Sequence, residues 1–105
     1  MPGIFALTEA TYYILLSLHK PRHGYGIMQQ TEELSGGRVR LAAGTLYGAL
    51  NTLCDKGWIM LKTVDDDNRR KEYLLTDKGR DVLIHEVKRL KELAHNGEMI
   101  LGEDL

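Results

Sequence analysis

Asn51 carries a side-chain amide of the kind that can read the edge of a base, and Thr45 lies before it between Gly44 and Gly48. They belong to the stretch from Leu41 to Trp58, LAAGTLYGALNTLCDKGW. At 100° per residue, Leu46, Leu50 and Leu53 fall on one side, flanked by Ala42, Ala49 and Cys54, as in a helix packed on a core. The opposite side carries Gly44, Thr45, Gly48, Asn51 and Thr52, a small, polar and nearly uncharged strip. Two glycines inside a helix cost roughly 1 kcal/mol each against alanine, so they point to a surface that something approaches closely. A DNA major groove admits such a helix, and the Asn51 amide can both donate to and accept from an adenine edge. A solvent face built from weak helix formers is the plainer explanation of the same pattern.

Phosphate-binding chemistry is offered on either side of this stretch. Arg38 and Arg40 alternate with Val39 and Leu41, which predicts a brief extended segment with the arginines outward. Arg69, Arg70 and Lys71 form the densest basic run in the chain. They follow Asp65, Asp66, Asp67 and Asn68, good chemistry for a hairpin tip. Taken alone, that loop is equally a solvated turn with locally paired charges.

Other chemistries lack their residues. The single cysteine, Cys54, cannot form an internal disulfide, which suits a reducing cytoplasm, and no histidine lies within a turn of it to act as a base. His19 and His23 are separated by Pro21, which breaks the helix that would bring them together, and His85 and His95 add no zinc spacing. The three aspartates are explained by turn formation. No cofactor, metal or catalytic residue is therefore expected, and the chain is not expected to be an enzyme.

With 105 residues, 43% hydrophobic and 28% charged, the composition is that of one globular domain with a single core. The net charge of −1 gives no general nucleic-acid signal, so any such argument rests on local placement. Residues 1–64 carry six bases against four acids, and residues 82–105 three bases against five acids. That polarity suits a DNA-facing front and a solvated back. No secretory leader and no apolar run of about 18 residues is visible, so a cytoplasmic protein without a membrane partner is expected.

In chain order, Ile4, Phe5 and Leu7 make an apolar leader expected to dock. Thr8 caps a first helix, EATYYILLSLH, ended by Pro21. Its apolar residues go nearly all round, which a chain this short cannot cover alone, so a partner chain is expected; half-exposed tyrosines are the alternative. Ile27, Met28, Thr31 and Leu34 mark a second helix, ended by Gly36-Gly37. Helix, short connection and groove-compatible helix make a helix-turn-helix. WIMLKTV (58–64) and KEYLL (71–75) pair as a hairpin, the wing of a winged helix. Thr76 caps a last helix, ending near Asn96-Gly97, whose Leu83, Val87, Leu90 and Ala94 follow a 4-3-4 spacing suited to a helical partner. The remaining EMILGEDL is expected to fray. The predicted fold is thus mainly α with a small β hairpin: a winged helix-turn-helix over residues 1–75 and a C-terminal dimerisation helix with a short tail over 76–105.

The ordered motifs YYILLSL, HGYGI, AGTLYGALNTL with KGWI, and RRKEYLLTDKG resemble the PadR family of bacterial transcriptional regulators from Leu7 to about Leu93. The resemblance implies a homodimeric repressor of operator DNA that releases it when a small-molecule effector binds. It places Thr45, Tyr47, Gly48 and Asn51 in or beside the groove, Arg69, Arg70 and Lys71 on a basic wing, and His23, Gly24 and Tyr25 near the backbone. A single helix after the wing matches the short subgroup, which dimerises by packing that helix on the partner's N-terminal helix. Some short members bind flat aromatic drugs between paired C-terminal tryptophans; here the only tryptophan is Trp58, and the last helix has no aromatic residue. Two recognition helices would enter successive major grooves about 34 Å apart, making the operator an inverted repeat. Arg38, Arg40, Arg69, Arg70 and Lys71 would meet phosphates. Tyr12, Tyr13, Leu16, Leu83, Val87, Leu90 and Ala94 would form the dimer interface and the place for a small hydrophobic effector, although core packing also accounts for such residues. A winged helix serving only as a protein-interaction module is the alternative function.

Overall fold

Thr8, His23 and Thr76 each precede a helix and accept a hydrogen bond from a backbone N–H of its first turn, and these three caps set where the chain turns helical. The computed structural model describes residues 6–63 and 71–105. Its elements are α1 (Glu9–Ser17), β1 (Arg22–His23), α2 (Gly24–Leu34), α3 (Ala43–Asp55), β2 (Ile59–Thr63), β3 (Lys71–Leu75) and α4 (Asp77–Leu101), followed by a 3-10 turn at Gly102–Asp104.

Two helix ends share one device. Gly36 N–H donates to the Glu33 carbonyl at 3.1 Å and Gly37 N–H to that of Glu32 at 2.8 Å; Gly57 N–H donates to Cys54 at 2.9 Å and Trp58 N–H to Leu53 at 3.1 Å. Both are Schellman closures, which require the left-handed backbone that Gly36 and Gly57 adopt at φ 64° and 77°. α2 thus stops at Gly36-Gly37, as expected. α1 stops at Ser17, two residues earlier than expected, because Leu18 and His19 tighten to i−3 carbonyls and Arg22 Nε donates to the Ser17 carbonyl at 2.7 Å.

The sheet has three strands rather than a simple hairpin. β3 lies in the middle, antiparallel to β2 from Ile59↔Leu75 to Thr63↔Lys71 and to β1 at Arg22↔Tyr73 and His23↔Glu72. A two-residue strand has no periodicity to read, so β1 was invisible in the sequence. The expected hairpin tip at Asp65–Asn68 lies outside the described residues, as do Val64, Ile4 and Phe5.

One core joins every element except β1. It holds Ile14, Leu15 and Leu18; Ile27; Leu46, Leu50 and Leu53; Ile59; Tyr73; and Leu83. Leu34, expected on the inner face of α2, is 44% exposed because the helix tip leaves the core there. α1 is better covered by its own chain than its pattern suggested: Ile14, Leu15 and Leu18 are buried, and Tyr12, Tyr13 and Leu16 half-buried.

α4 carries the larger departure. It continues through Asn96 and Gly97 to Leu101, 25 residues in all, so the segment expected to fray is helical. At 1.5 Å per residue this is about 37 Å. Its root is locked: Thr76 N–H donates to the Trp58 carbonyl at 3.0 Å and Thr76 Oγ1 to the Gly57 carbonyl at 2.7 Å. Gly79 lies so close that a Cβ there would meet the Trp58 carbonyl, with its carbon at 2.9 Å. Farther along, Leu83 and Glu86 are buried, but Leu90, Leu93, Met99, Ile100 and Leu101 are exposed. The radius of gyration, 15.7 Å, exceeds the roughly 13 Å of a compact domain of this length because α4 projects.

Glu86 is the buried charge that ties this helix to the start of α1. Arg89 Nε and Nη2 donate to its two oxygens at 2.7 and 2.8 Å, and Leu7 N–H donates to Oε2 at 3.1 Å. The Arg89 hydrogen bonds hold the carboxyl below the ordinary glutamate range, overcoming the opposite pull of burial, with Leu7 assisting. Its contribution to stability is therefore present at neutral pH and lost as pH falls through that depressed value. Glu86→Gln is expected to cost about 1–3 kcal/mol at neutral pH. The gap from the parent should narrow in acid below about pH 4. Denaturant titrations at both pH values check this; a gap independent of pH contradicts it.

Candidate nucleic-acid interface

Burial of Leu46, Leu50 and Leu53 turns the other side of α3 outward. Gly44, Thr45, Gly48, Asn51 and Thr52 are exposed there, and Tyr47 is 46% exposed on its shoulder. A Cβ added at Gly44 or Gly48 would meet nothing within 4 Å. Packing within the chain therefore does not require either glycine. Thr52 Oγ1 donates back to the Gly48 carbonyl at 3.2 Å, which quiets one polar group without covering the strip. No side chain caps the first turn of α3, whose cap residue is Ala42.

α2 approaches the same edge. His23 ends β1 and caps α2, its Nδ1 accepting from Gly26 N–H at 3.3 Å. That bond assigns Nδ1 as the acceptor, leaving the hydrogen of a neutral ring on Nε2. The next residue, Gly24, is buried under Tyr47: a Cβ there would strike the tyrosine hydroxyl and lie 2.8 Å from Cζ. Tyr47 thus joins the start of α2 to the outward face of α3. Tyr25, one residue on, is 63% exposed.

The connection between the helices is pinned by Ser35, whose Oγ accepts from Val39 N–H at 2.8 Å and donates to the Glu32 carbonyl at 3.2 Å. Val39 and Leu41 are half-buried, and Arg38 and Arg40 exposed, the expected alternation. Each arginine faces a carboxylate: Arg38 bonds Glu9 of α1, and Arg40 Nε lies 3.6 Å from Glu32 Oε2. Sequence reasoning missed these partners because 29 residues separate Arg38 from Glu9 and nothing in the spacing joins them. Lys71 is exposed at the start of β3. Arg69 and Arg70 lie outside the described residues.

Burial pushes the Cys54 thiol up, with Asp55 adding to the effect, so the thiolate a nucleophile needs is disfavoured. Among the described residues no three His, Cys, Asp or Glu side chains form a metal site, and no helix is long and apolar enough to cross a membrane.

The face expected to meet a second chain divides unevenly. Tyr12 and Tyr13 form an edge-on pair with centroids 5.6 Å apart. On α4, Leu83 is buried and Val87 half-buried, whereas Leu90 and Ala94 are exposed. The 4-3-4 spacing continues through Gly97 to Leu101, one heptad farther than the sequence reading carried it.

Two helices joined by a pinned turn, followed by a small antiparallel sheet and a projecting helix, define a winged helix-turn-helix protein. A model of the transcriptional regulator PadR-like family matches residues 13–85, and the chain belongs to that family. Among solved structures it is similar to a PadR family transcription regulator from Clostridium difficile (26% identity, TM-score 0.77, covering 90% of this chain and 99% of that one). RosR of H. salinarum is similar at 27% identity and TM-score 0.71, with 93% of each chain covered. A transcriptional regulator from Thermoplasma acidophilum matches at 28% identity and TM-score 0.67, with 90% of each covered. Among curated proteins, an uncharacterised 37.1 kDa protein of a Streptomyces fradiae transposon is 35% identical over 74 residues, 70% of this chain. The chain spans about a fifth of that relative, 20% of its length.

The open space around Gly48 makes a measurable statement about the face. Gly48→Ala is expected to stabilise the fold by about 0.5–1 kcal/mol, the ordinary helix preference for alanine. Denaturant unfolding checks it, and a destabilised variant would show that the face is already filled.

Proposed function

We propose that this PadR-like chain is a homodimeric repressor that reads double-stranded operator DNA with the outward face of α3. The observation that carries the reading is that this face is exposed, small and polar, with two glycines that packing within the chain does not require. Asn51 and Thr45 contact base edges, and Gly44 and Gly48 let the helix backbone come close. Tyr47 lies beside the groove, and Tyr25, His23 through Nε2, Arg38, Arg40 and Lys71 contact the DNA backbone. Arg69 and Arg70 also meet phosphates.

The dimer forms through α4 against α1 of a second copy. Leu90, Ala94 and Leu101 continue an exposed apolar stripe, while Tyr12, Tyr13, Leu16, Leu83 and Val87 flank the same junction. Two copies then present two α3 helices to successive grooves on one side of an inverted repeat. A small hydrophobic effector lodged at this junction relieves repression by favouring a dimer whose helices are misspaced, since a ligand shifts an equilibrium only through unequal affinity for its states. The reaction is binding and release, and the protein works in the cytoplasm without cofactor or catalysis.

Fluorescence anisotropy on a duplex from the protein's own promoter region and on a scrambled duplex, across a salt series, tests the reading. Preference for the native duplex with a steep salt slope is expected. Asn51→Ala should lose about 1–3 kcal/mol of that preference. Equal, weak binding to both duplexes, unchanged by the substitution, contradicts it.

A further inference from the structure

Arg38 stands in the turn that leads into α3, yet in the free protein its guanidinium is already occupied. Nε donates to Glu9 Oε2 at 2.9 Å, and Nη2 donates to the same oxygen. Glu9 lies in the first turn of α1, so the bond spans from the α1 face to the helix-turn-helix connection. Arg40 repeats the arrangement more loosely, with Nε 3.6 Å from Glu32 Oε2. A carboxylate oxygen here takes donors that a phosphate oxygen would take, because the guanidinium fork suits both anions.

We propose that Glu9 is an internal stand-in for a DNA phosphate: it holds Arg38 while the protein is free, and the DNA backbone must displace it to take the guanidinium. Glu32 acts on Arg40 in the same way. The inference rests on the DNA-binding reading above and adds a threshold to it. Both pairs are exposed, the side chains of Arg38 and Glu9 at 68% and 45%, and such pairs hold weakly enough for a dense line of phosphates to exchange them. Arg38 reaches DNA fully charged, as a guanidinium does not lose its proton near neutral pH.

The exchange has a direction and a consequence. When phosphate replaces Glu9, the displaced carboxylate faces the same negative backbone and opposes it. Every duplex meets this opposition, whatever its sequence, so Glu9 lowers backbone-driven binding and leaves the α3 contacts to decide where the protein stays. Specificity is a difference of affinities, and weakening the shared part keeps the protein from being held by unrelated DNA.

Anisotropy on a random-sequence duplex and on the promoter duplex, across a salt series, tests this with the parent, Glu9→Gln, Arg38→Ala and the double variant. Melting curves establish that each is folded. Glu9→Gln is expected to bind the random duplex about 3–10-fold more tightly than the parent, with a salt slope steeper by about one unit per subunit. In the Arg38→Ala background the same change should give a clearly smaller gain, only what removing one negative charge near the DNA brings. A Glu9→Gln protein that binds no better than the parent overturns the proposal and leaves DNA recognition standing, as does a gain that is undiminished without Arg38. A parent that binds neither duplex overturns DNA recognition and this inference together.

Discussion

Three leucines decide how this chain presents itself. Leu46, Leu50 and Leu53 are almost wholly buried among Ile14, Leu15, Leu18, Ile27 and Ile59, and their burial fixes the rotation of α3 about its axis. Once that rotation is set, Gly44, Gly48 and Asn51 have nowhere to point but outward. Truncating one such leucine would leave a cavity in a small core, and the helix would lose its orientation before it lost its helicity.

A small core also limits what else can be covered. α4 enters it with Leu83 and is held at its root by Thr76, Gly79 and the Trp58 carbonyl, and then by Glu86. Beyond Arg89, Leu90, Leu93 and Leu101 remain exposed. The same scarcity explains why ion pairs such as Arg38 with Glu9 and Arg40 with Glu32 stand at the surface. They tie the turn to α1 and α2 without needing interior space.

Much of this was legible in the residues because local rules acted without competition. Thr8 and Thr76 were readable as caps, Gly36-Gly37 as a stop, and the 46-50-53 spacing as the buried side of α3. Features that depend on distant partners were not. β1 exists only because β3 lies beside it, and α1 ends early because Arg22 reaches back to the Ser17 carbonyl. Asn96-Gly97 looked like a helix end, but no left-handed glycine closes the chain there, and α4 runs on to Leu101. For the candidate site, the exposure of Thr45, Gly48 and Asn51 followed from periodicity. The carboxylates facing Arg38 and Arg40 and the capping role of His23 needed the fold.

Amide hydrogen exchange, with and without a duplex from the protein's own promoter region, tests the central claim most directly. The account predicts that DNA slows exchange in residues 38–52 and at the start of α2, with the α3 core positions already slow in the free protein. Protection confined to α1 and α4, with α3 unchanged, would contradict it.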